Sequence, residues 1–273
     1  MLSPVAVLTQ TDWHLVRLHG HVEVVSGVTV IRVPDNPNYR WGNCLHLSAA
    51  PTLDELHDLV ELARDIFGDQ PEIRHVMLRW DGERMEDDFA AAVKDRKMEA
   101  DSGRVMHAVD LVDVSTQGVS IRPLDLGRQW EDIIALNIAC DPEEPDGLAD
   151  YIAFKQGLRR AWQAWAATGD AIWWGAFIDD TLVGQAGMVC CPGGRGRFQS
   201  VETHPDYRSR GVCSSLVSTM GRHAVAVLGC ETLWMGVNPD GLAQHLYAKL
   251  GFEFGSWQNS LVLLDPGSVS DGT

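Results

Sequence analysis

Between Val201 and Val217 the chain reads VETHPDYRSRGVCSSLV. These residue types, in this order, suit an anion site. An extended segment turns at Pro205, passes Arg208, Ser209, Arg210 and Gly211, and enters a helical pattern near Val212. The first turn of a helix has backbone N–H groups with no internal partner, and the helix dipole adds partial positive charge there. Gly211 lets the backbone approach a ligand closely, and the two arginines add formal charge. A diphosphate is the natural guest. Two other groups in the stretch could react. His204 titrates near neutrality, although its place before Pro205 also suits a turn. Cys213 stands at a helix N-terminus, where thiol pKa values fall.

The segment Arg208-Ser209-Arg210-Gly211-Val212-Cys213 is followed by TLWMGVN and then by GLAQHLYAKLGF, which contains Tyr247, Gly251 and Phe252. Together these resemble the acetyl-CoA loop and the next two elements of the GCN5-related N-acetyltransferases, the GNAT family. The family pattern in the loop is R/Q-x-x-G-x-G/A, and Cys213 stands at its last position. The resemblance covers roughly the C-terminal half of the chain. It implies an α/β fold of α+β character, with a mixed central sheet flanked by helices. That sheet would splay between the strand ending at Thr203 and the strand ending near Val237. Val201 to Thr203 would then pair with the pantetheine arm of acetyl-CoA. Arg208, Ser209, Arg210, Gly211, Val212, Cys213 and Ser214 would wrap its pyrophosphate. The family uses a tyrosine at the place of Tyr247 as general acid to the CoA sulfur. Its members often carry an asparagine seven residues before that tyrosine. Here that place is Asp240, and Asn238, two residues earlier, is the candidate for the same contact.

The implied reaction is attack of a neutral amine on the acetyl thioester in a ternary complex. It needs a base for the amine, stabilisation of an oxyanion and a proton for the leaving thiolate. Glu202 is the candidate base, acting through a water; the alternative is a structural pairing with Arg197 or Arg208. The acceptor is a small-molecule or peptide amine. Asp141, Glu143, Glu144, Asp146 and Asp150 lie between two helical patterns, where the fold would hold it. They would favour a cation, or else form a solvated acidic loop. Trp173 and Trp174 alternate on a strand, so that one could face the cleft and the other the core. The reading is therefore an N-acetyltransferase. Its alternatives are a non-catalytic acyl-CoA-binding or regulatory protein, and an acyltransferase with another donor.

These residues need elements to hold them. VSIRPLD reads as a strand, LGRQWEDIIALNIAC as a helix with Trp130, Ile133, Ile134 and Ile138 on its buried side, and YIAFKQGLRRAWQAWAATG as a second helix. AIWWGAFID and TLVGQAGMVC make a hairpin through Asp179-Asp180, and RFQSVET is the strand that enters the loop. Upstream, Val22 to Val33 reads as strand with a turn at Gly27, followed by the strand CLHLS. Thr52 and Asp54 can cap the helix LDELHDLVELARDIF. IRHVMLRW, MEDDFAAAVKDRKM and VMHAVDLVDV read as strand, helix and strand. This order repeats that of the second half after Ala171. VKDRKMEADSGRVMHAVDLVD lies over LYAKLGFEFGSWQNSLVLLDP with Lys97 on Lys249, Met98 on Leu250, Asp95 on Tyr247 and Glu99 on Gly251. The first half has HLSAAPTLDEL where the arginine–glycine loop would be. It therefore reads as a degenerate repeat without a cofactor motif. The Tyr39-Arg40-Trp41-Gly42 motif suits a packed turn. Ser115 to Gly118 is the expected linker. The expected domains are 1–115 and 119–265, with a tail at 266–273.

Composition sets limits. The chain has 273 residues, 45% of them hydrophobic, which accommodates two domains. Its formal net charge of −16 argues against nucleic acid as a partner. No apolar run approaches the roughly 20 residues of a membrane helix, and MLSPVAVLTQTDWH, without a basic region before a long apolar core, reads as a poor secretory signal. A cytoplasmic location is the resulting expectation. The 6 cysteines form no C-x-x-C pair, so no metal is expected. Dimerisation through the first half is an open alternative.

Overall fold

The computed structural model describes residues 6–141 and 147–264. In chain order the elements are α1 (Val7–Arg17), β1 (His21–Val25), β2 (Val28–Arg32), β3 (Cys44–His46), α2 (Leu56–Phe67), β4 (His75–Gly82), α3 (Asp87–Lys94), β5 (Met98–Ala108), β6 (Ser120–Pro123), α4 (Trp130–Cys140), α5 (Leu148–Thr168), β7 (Ala171–Ile178), β8 (Thr181–Cys191), β9 (Arg195–Thr203), α6 (Val212–Ala226), β10 (Thr232–Val237), α7 (Ala243–Leu250) and β11 (Glu253–Leu264). Among the described residues no helix is long and apolar enough to cross a membrane.

The chain divides into two compact units. One comprises the described residues of Met1–Arg104, Pro145–Leu158 and Ser256–Thr273; the other, those of Val105–Glu144 and Arg159–Gly255. These are not the contiguous segments 1–115 and 119–265. The end of β5 belongs with the second unit and most of β11 with the first. The expected tail at 266–273 lies outside the described residues. The expected linker is also no linker. The Ser215 hydroxyl donates to Thr116 Oγ1 at 2.8 Å, and Thr116 donates to the Gly211 carbonyl at 3.3 Å. Ser218 accepts from the Val114 N–H at 3.0 Å and donates to the Val112 carbonyl at 2.7 Å. A row of hydroxyls on α6 thus fastens the segment that polarity alone marked as free.

In the first unit β1 and β2 form a hairpin through Ser26 and Gly27, both at positive φ. β2 pairs antiparallel with β3, β3 parallel with β4, and β4 antiparallel with β11 from Gly82–Trp257 to His75–Leu264. Strand alternation sends Val76, Leu78 and Trp80 to one face, where Leu56, Val60, Ala63 and Phe67 of α2 and Val93 of α3 cover them. Met77 faces the other way with Ile31, Cys44 and Val16 of α1. That second face also holds charge. Buried Arg79 donates to Asp12 at 3.1 Å and lies 3.7 Å from the Trp41 ring, which explains the packed turn at Tyr39–Gly42. Asp81 accepts from the Thr9 hydroxyl at 2.8 Å and stands 3.5 Å from His46 Nε2. Helix α1 carries Thr9 and Asp12 on its inner face, so its apolar stripe is broken and sequence periodicity does not reveal it.

In the second unit β6, β7, β8 and β9 pair antiparallel in succession, and β10 joins β9 in parallel. Asp179 and Asp180, both at positive φ, make the tight β7–β8 turn. On one face Leu216, Val217 and Met220 of α6 and Tyr247 and Leu250 of α7 pack on Met188, Phe198, Leu233 and Met235. Truncating such a residue to alanine costs about 2–5 kcal/mol. On the other face α4 buries Trp130, Ile133, Leu136 and Asn137, while Ile134 and Ile138 are only half-buried. Trp173 of β7 stacks on Trp162 of α5 at 4.9 Å and lies 6.1 Å from Trp165.

The element order β1-β2-β3-α2-β4-α3-β5 is matched by β7-β8-β9-α6-β10-α7-β11. The junctions α3–β5 and α7–β11 give a register different from the sequence alignment. The Lys97 N–H bonds the Lys94 carbonyl at 2.9 Å, and the Gly251 N–H bonds the Ala248 carbonyl at 3.2 Å. Lys97 and Gly251 both have positive φ. Lys97 therefore corresponds to Gly251 rather than to Lys249, and Val93, not Asp95, corresponds to Tyr247. The two-residue shift arises because the alignment matched similar side chains across a bend that backbone conformation defines.

Candidate functional site

The site is built at the C-terminal end of β9. Parallel pairing with β10 is confined to Arg195–Thr232, Gly196–Leu233 and Arg197–Trp234. Beyond these the strands run on to Thr203 and Val237 without a shared register, so the sheet splays there. A β-bulge opposite Ala186, with Ser200 at φ 45°, bends β9 at this point. The edge carrying Val201 to Thr203 faces the gap.

The chain leaves Thr203 through a short turn, Pro205–Tyr207, whose entry is fixed by His204: its Nδ1 accepts from the Asp206 N–H at 3.2 Å. His204 is thus a turn residue. Arg208 and Arg210 are exposed. Arg208 Nε donates to the Thr203 carbonyl at 3.2 Å, and the Arg210 guanidinium lies 5.2 Å from the Tyr207 ring. Ser209 has φ 60° and Gly211 φ 77°, and Gly211 is the N-cap of α6. Two left-handed residues so close together turn the chain tightly into the helix, so that the amides of Gly211, Val212, Cys213 and Ser214 open the first turn. A Cβ added at Gly211 would collide with Thr116 Oγ1. Glycine is thus required by the Thr116 contact as well as by φ. The arginines, the left-handed turn and the open helix end fit the diphosphate of acetyl-CoA, and the strand edge in the splay fits its amide-bearing arm.

Tyr247 of α7 reaches this loop from below. Its side chain is buried, and its hydroxyl lies 4.0 Å from Cys213 Sγ. Burial pushes the Tyr247 pKa well above the ordinary phenol value, with Cys213 adding to the effect. Burial also raises the Cys213 thiol, against smaller opposing effects of the Tyr247 and Thr203 hydroxyls. A thiol held in its protonated form is a poor nucleophile, whatever the helix dipole contributes. Asn238 sits in the turn after β10. Its Oδ1 accepts from the Asp240 N–H at 2.9 Å and its carbonyl from the Gly241 N–H at 3.2 Å, so its side-chain oxygen serves its own turn.

Glu202 points to the face of β9 opposite Val201 and Thr203. Its Oε2 accepts from Gln185 Nε2 at 2.8 Å and from Asn137 Nδ2. Gln185 stands opposite Glu202 in the β8–β9 register, and Asn137 comes from α4. Both amides are fully buried, and Gln185 Oε1 has no hydrogen-bond partner among the described residues. Sequence reasoning missed both. Their signal was a polar side chain at a position that strand or helix period assigns to the core.

The proposed acceptor region is only partly described. Glu143, Glu144 and Asp146 lie outside the described residues. Asp141 is exposed in the second unit. Asp150 belongs to the first unit, where Arg74 bonds it at 2.9 Å and the Asn38 amide at 3.4 Å, so it is not free to recognise a cation. Neither tryptophan of β7 is placed as a cleft wall. Trp173 is in the stack described above, and Trp174 packs 4.8 Å from His223 of α6.

Residues 130–252 match the profile of the acetyltransferase (GNAT) family. No curated protein sequence matches the chain. Among solved structures, a functionally unknown conserved protein from Staphylococcus epidermidis aligns with a TM-score of 0.73 at 11% identity, over 91% of this chain and 95% of that one. A GCN5-related N-acetyltransferase from Kribbella flavida aligns with a TM-score of 0.63 at 18% identity, over 97% of both chains. A tandem GNAT protein from the clavulanic acid biosynthesis pathway aligns with a TM-score of 0.53 at 10% identity, over 83% of this chain and 74% of that one. Likeness at such identities establishes the fold, here of GNAT type with a tandem GNAT protein among the neighbours.

Proposed function

We propose that the protein, whose residues 130–252 match the acetyltransferase (GNAT) family profile, transfers an acetyl group from acetyl-CoA to a primary amine, by direct attack in a ternary complex. The observation that carries this reading is the placement of the Tyr247 hydroxyl, 4.0 Å from the first turn of α6 at Cys213, where β9 and β10 part. A proton donor thus stands beside the loop that would hold the diphosphate.

Bound acetyl-CoA would supply the activated acyl group as a thioester. Arg208 and Arg210 would meet its phosphates with charge, and the α6 amides with hydrogen bonds. Tyr247 keeps its proton in the resting protein because burial disfavours phenolate. It can therefore donate toward charge growing on the leaving sulfur, and return to the neutral form after turnover. Glu202, steadied by Gln185 and Asn137, is the base we assign to the amine, through a water. The unpartnered Gln185 Oε1 is an acceptor that such a water or the amine N–H could use. The first unit is read as a degenerate GNAT-like half. A small cationic acceptor agrees with the net charge of −16.

Calorimetric titration of acetyl-CoA and CoA into wild type and into the Arg208→Glu/Arg210→Glu variant tests the cofactor site. Charge reversal is preferable to a change at Gly211, which would disturb the Thr116 contact as well. Wild-type binding that the variant loses supports the reading, and an amine panel then tests turnover. Equal affinity in both proteins rejects the loop as the phosphate site. Binding without turnover on any amine favours a non-catalytic acyl-CoA-binding role, and turnover only with longer acyl-CoA favours another donor.

A further inference from the structure

At the other end of the same strands, away from the splay, two thiols meet. Cys190 Sγ and Cys230 Sγ are 3.5 Å apart. Cys190 lies at the end of β8, and Cys230 precedes β10. Strand β9 runs between these strands, and Cys190 stands opposite Gly196, which in turn stands opposite Leu233. A Cβ added at Gly196 would lie 3.1 Å from Cys230 Sγ, so the bare glycine leaves the sulfurs room to meet. Cys230 is 4% exposed, whereas Cys190 is half-buried and within reach of a small reagent. The adjacent Cys191 is buried, with its Sγ 3.8 Å from the Val189 carbonyl. Strand alternation turns it to the opposite face.

We propose that Cys190 and Cys230 form a redox modification site, which a peroxide closes to an intramolecular disulfide. The Cys190 thiolate attacks one peroxide oxygen and the O–O bond breaks, giving a Cys190 sulfenic acid and, after protonation, water. The Cys230 sulfur then attacks the sulfenic sulfur. The S–S bond forms, the S–O bond breaks, and the Cys230 proton leaves with the hydroxyl as a second water. Two electrons pass from the thiol pair to the peroxide, and a dithiol reductant reverses the reaction. The sulfurs must close from 3.5 Å to roughly 2.0 Å. Cys190 is the more exposed of the two sulfurs, which assigns the first attack to it, and its hydrogen bond with Cys230 lowers its pKa, against burial and the Asp170 charge. The bond would tie β8 to the start of β10 across β9, at the end where β9 and β10 are still paired.

The test is treatment of the full chain with hydrogen peroxide, alkylation of remaining thiols and peptide mapping. The expected product is one cross-linked peptide joining Cys190 to Cys230, absent after dithiothreitol and still formed in Cys191→Ser. Cys230→Ser should instead accumulate a Cys190 sulfenic acid that dimedone traps. The oxidised wild type should unfold at a higher temperature, and reductant should restore the starting midpoint. A wild-type map with Cys190 oxidised but not cross-linked, or with Cys191 as the bonded residue, overturns the proposal, and it requires no variant to fold. An unchanged melting midpoint for the cross-linked protein overturns the pinning of β8 to β10.

Discussion

In the second unit the chain leaves β9 through Arg208, Ser209 and Arg210 and enters α6 on left-handed Gly211. In the first unit it leaves β3 through Ser48 to Pro51 and enters α2 behind Glu55. The topology of the two crossovers is the same, and the chemistry is opposite. Glu55 Oε2 accepts from the Thr52 N–H at 2.7 Å and from the Thr52 hydroxyl at 2.8 Å. Those bonds lower its pKa, so the carboxylate stays charged. The helix start that would receive a phosphate already carries an anion of its own. The next difference is in the following helix, where apolar, fully buried Val93 stands in the position of Tyr247. One crossover presents two exposed arginines and a left-handed turn at the start of its helix, with the Tyr247 hydroxyl nearby, and the other has a carboxylate bonded within its own turn and a buried valine. A shared topology therefore says where a site can be, and the residues at the helix start say whether one exists.

The sharpest way to break this contrast is at Tyr247. Tyr247→Phe keeps the packing and removes the hydroxyl. Turnover with a responsive amine should fall by about 100-fold or more, with acetyl-CoA affinity changed by about twofold at most. Equal turnover would remove Tyr247 from the chemistry. Reversing both arginines should weaken acetyl-CoA binding by about 100-fold or more, since each charged hydrogen bond contributes roughly 1.5–3 kcal/mol.

The third prediction concerns the first unit alone. Burial and the Arg79 charge lower the His46 pKa to about 4. The unfolded chain, with a histidine near about 6.5, binds the extra proton first as pH falls. Stability from neutral His46 is thus present above the unfolded value and is lost as pH falls toward the folded one. The loss amounts to about 2–3 kcal/mol, less an opposing contribution from Asp81, whose pKa burial raises. Denaturant titrations from pH 7 to pH 4 should show this decline, and His46→Gln should flatten it. An identical slope in the variant would assign the acid sensitivity elsewhere. The smallest effect is expected at Glu55. Glu55→Ala should change acetyl-CoA affinity by about twofold at most, because removing a carboxylate supplies neither arginines nor a left-handed turn. A second equivalent of bound acetyl-CoA would show that the first crossover is closer to a working site than its residues indicate.

Legibility in the sequence followed the range of the interaction. Hairpins at Ser26-Gly27 and Asp179-Asp180, the helix α6 and the arginine–glycine loop are local, and each was readable from contiguous residues. Helix α1 was not, because Thr9 and Asp12 face inward to meet Asp81 and Arg79 and erase its apolar period. The helix α2 starts at Leu56 rather than Leu53, since Thr52 and Glu55 satisfy each other before the helix begins. Strand β5 starts at Met98, earlier than its apolar run, because Glu99 to Asp101 are extended but exposed and carry no apolar pattern.

The sequence by itself determined that an arginine–glycine turn leads into a helix in one half and that the other half lacks one. Short contiguous motifs set backbone conformation and local charge without help from distant residues. Only the tertiary structure decided that Asn137 and Gln185 hold Glu202, that Tyr247 meets Cys213, and that Cys190 meets Cys230. It also decided that each compact unit takes in a strand segment from the other half of the sequence. Contacts between residues tens of positions apart leave no periodic trace in the chain. They arise when strands pair and side chains bury, and that depends on the whole fold.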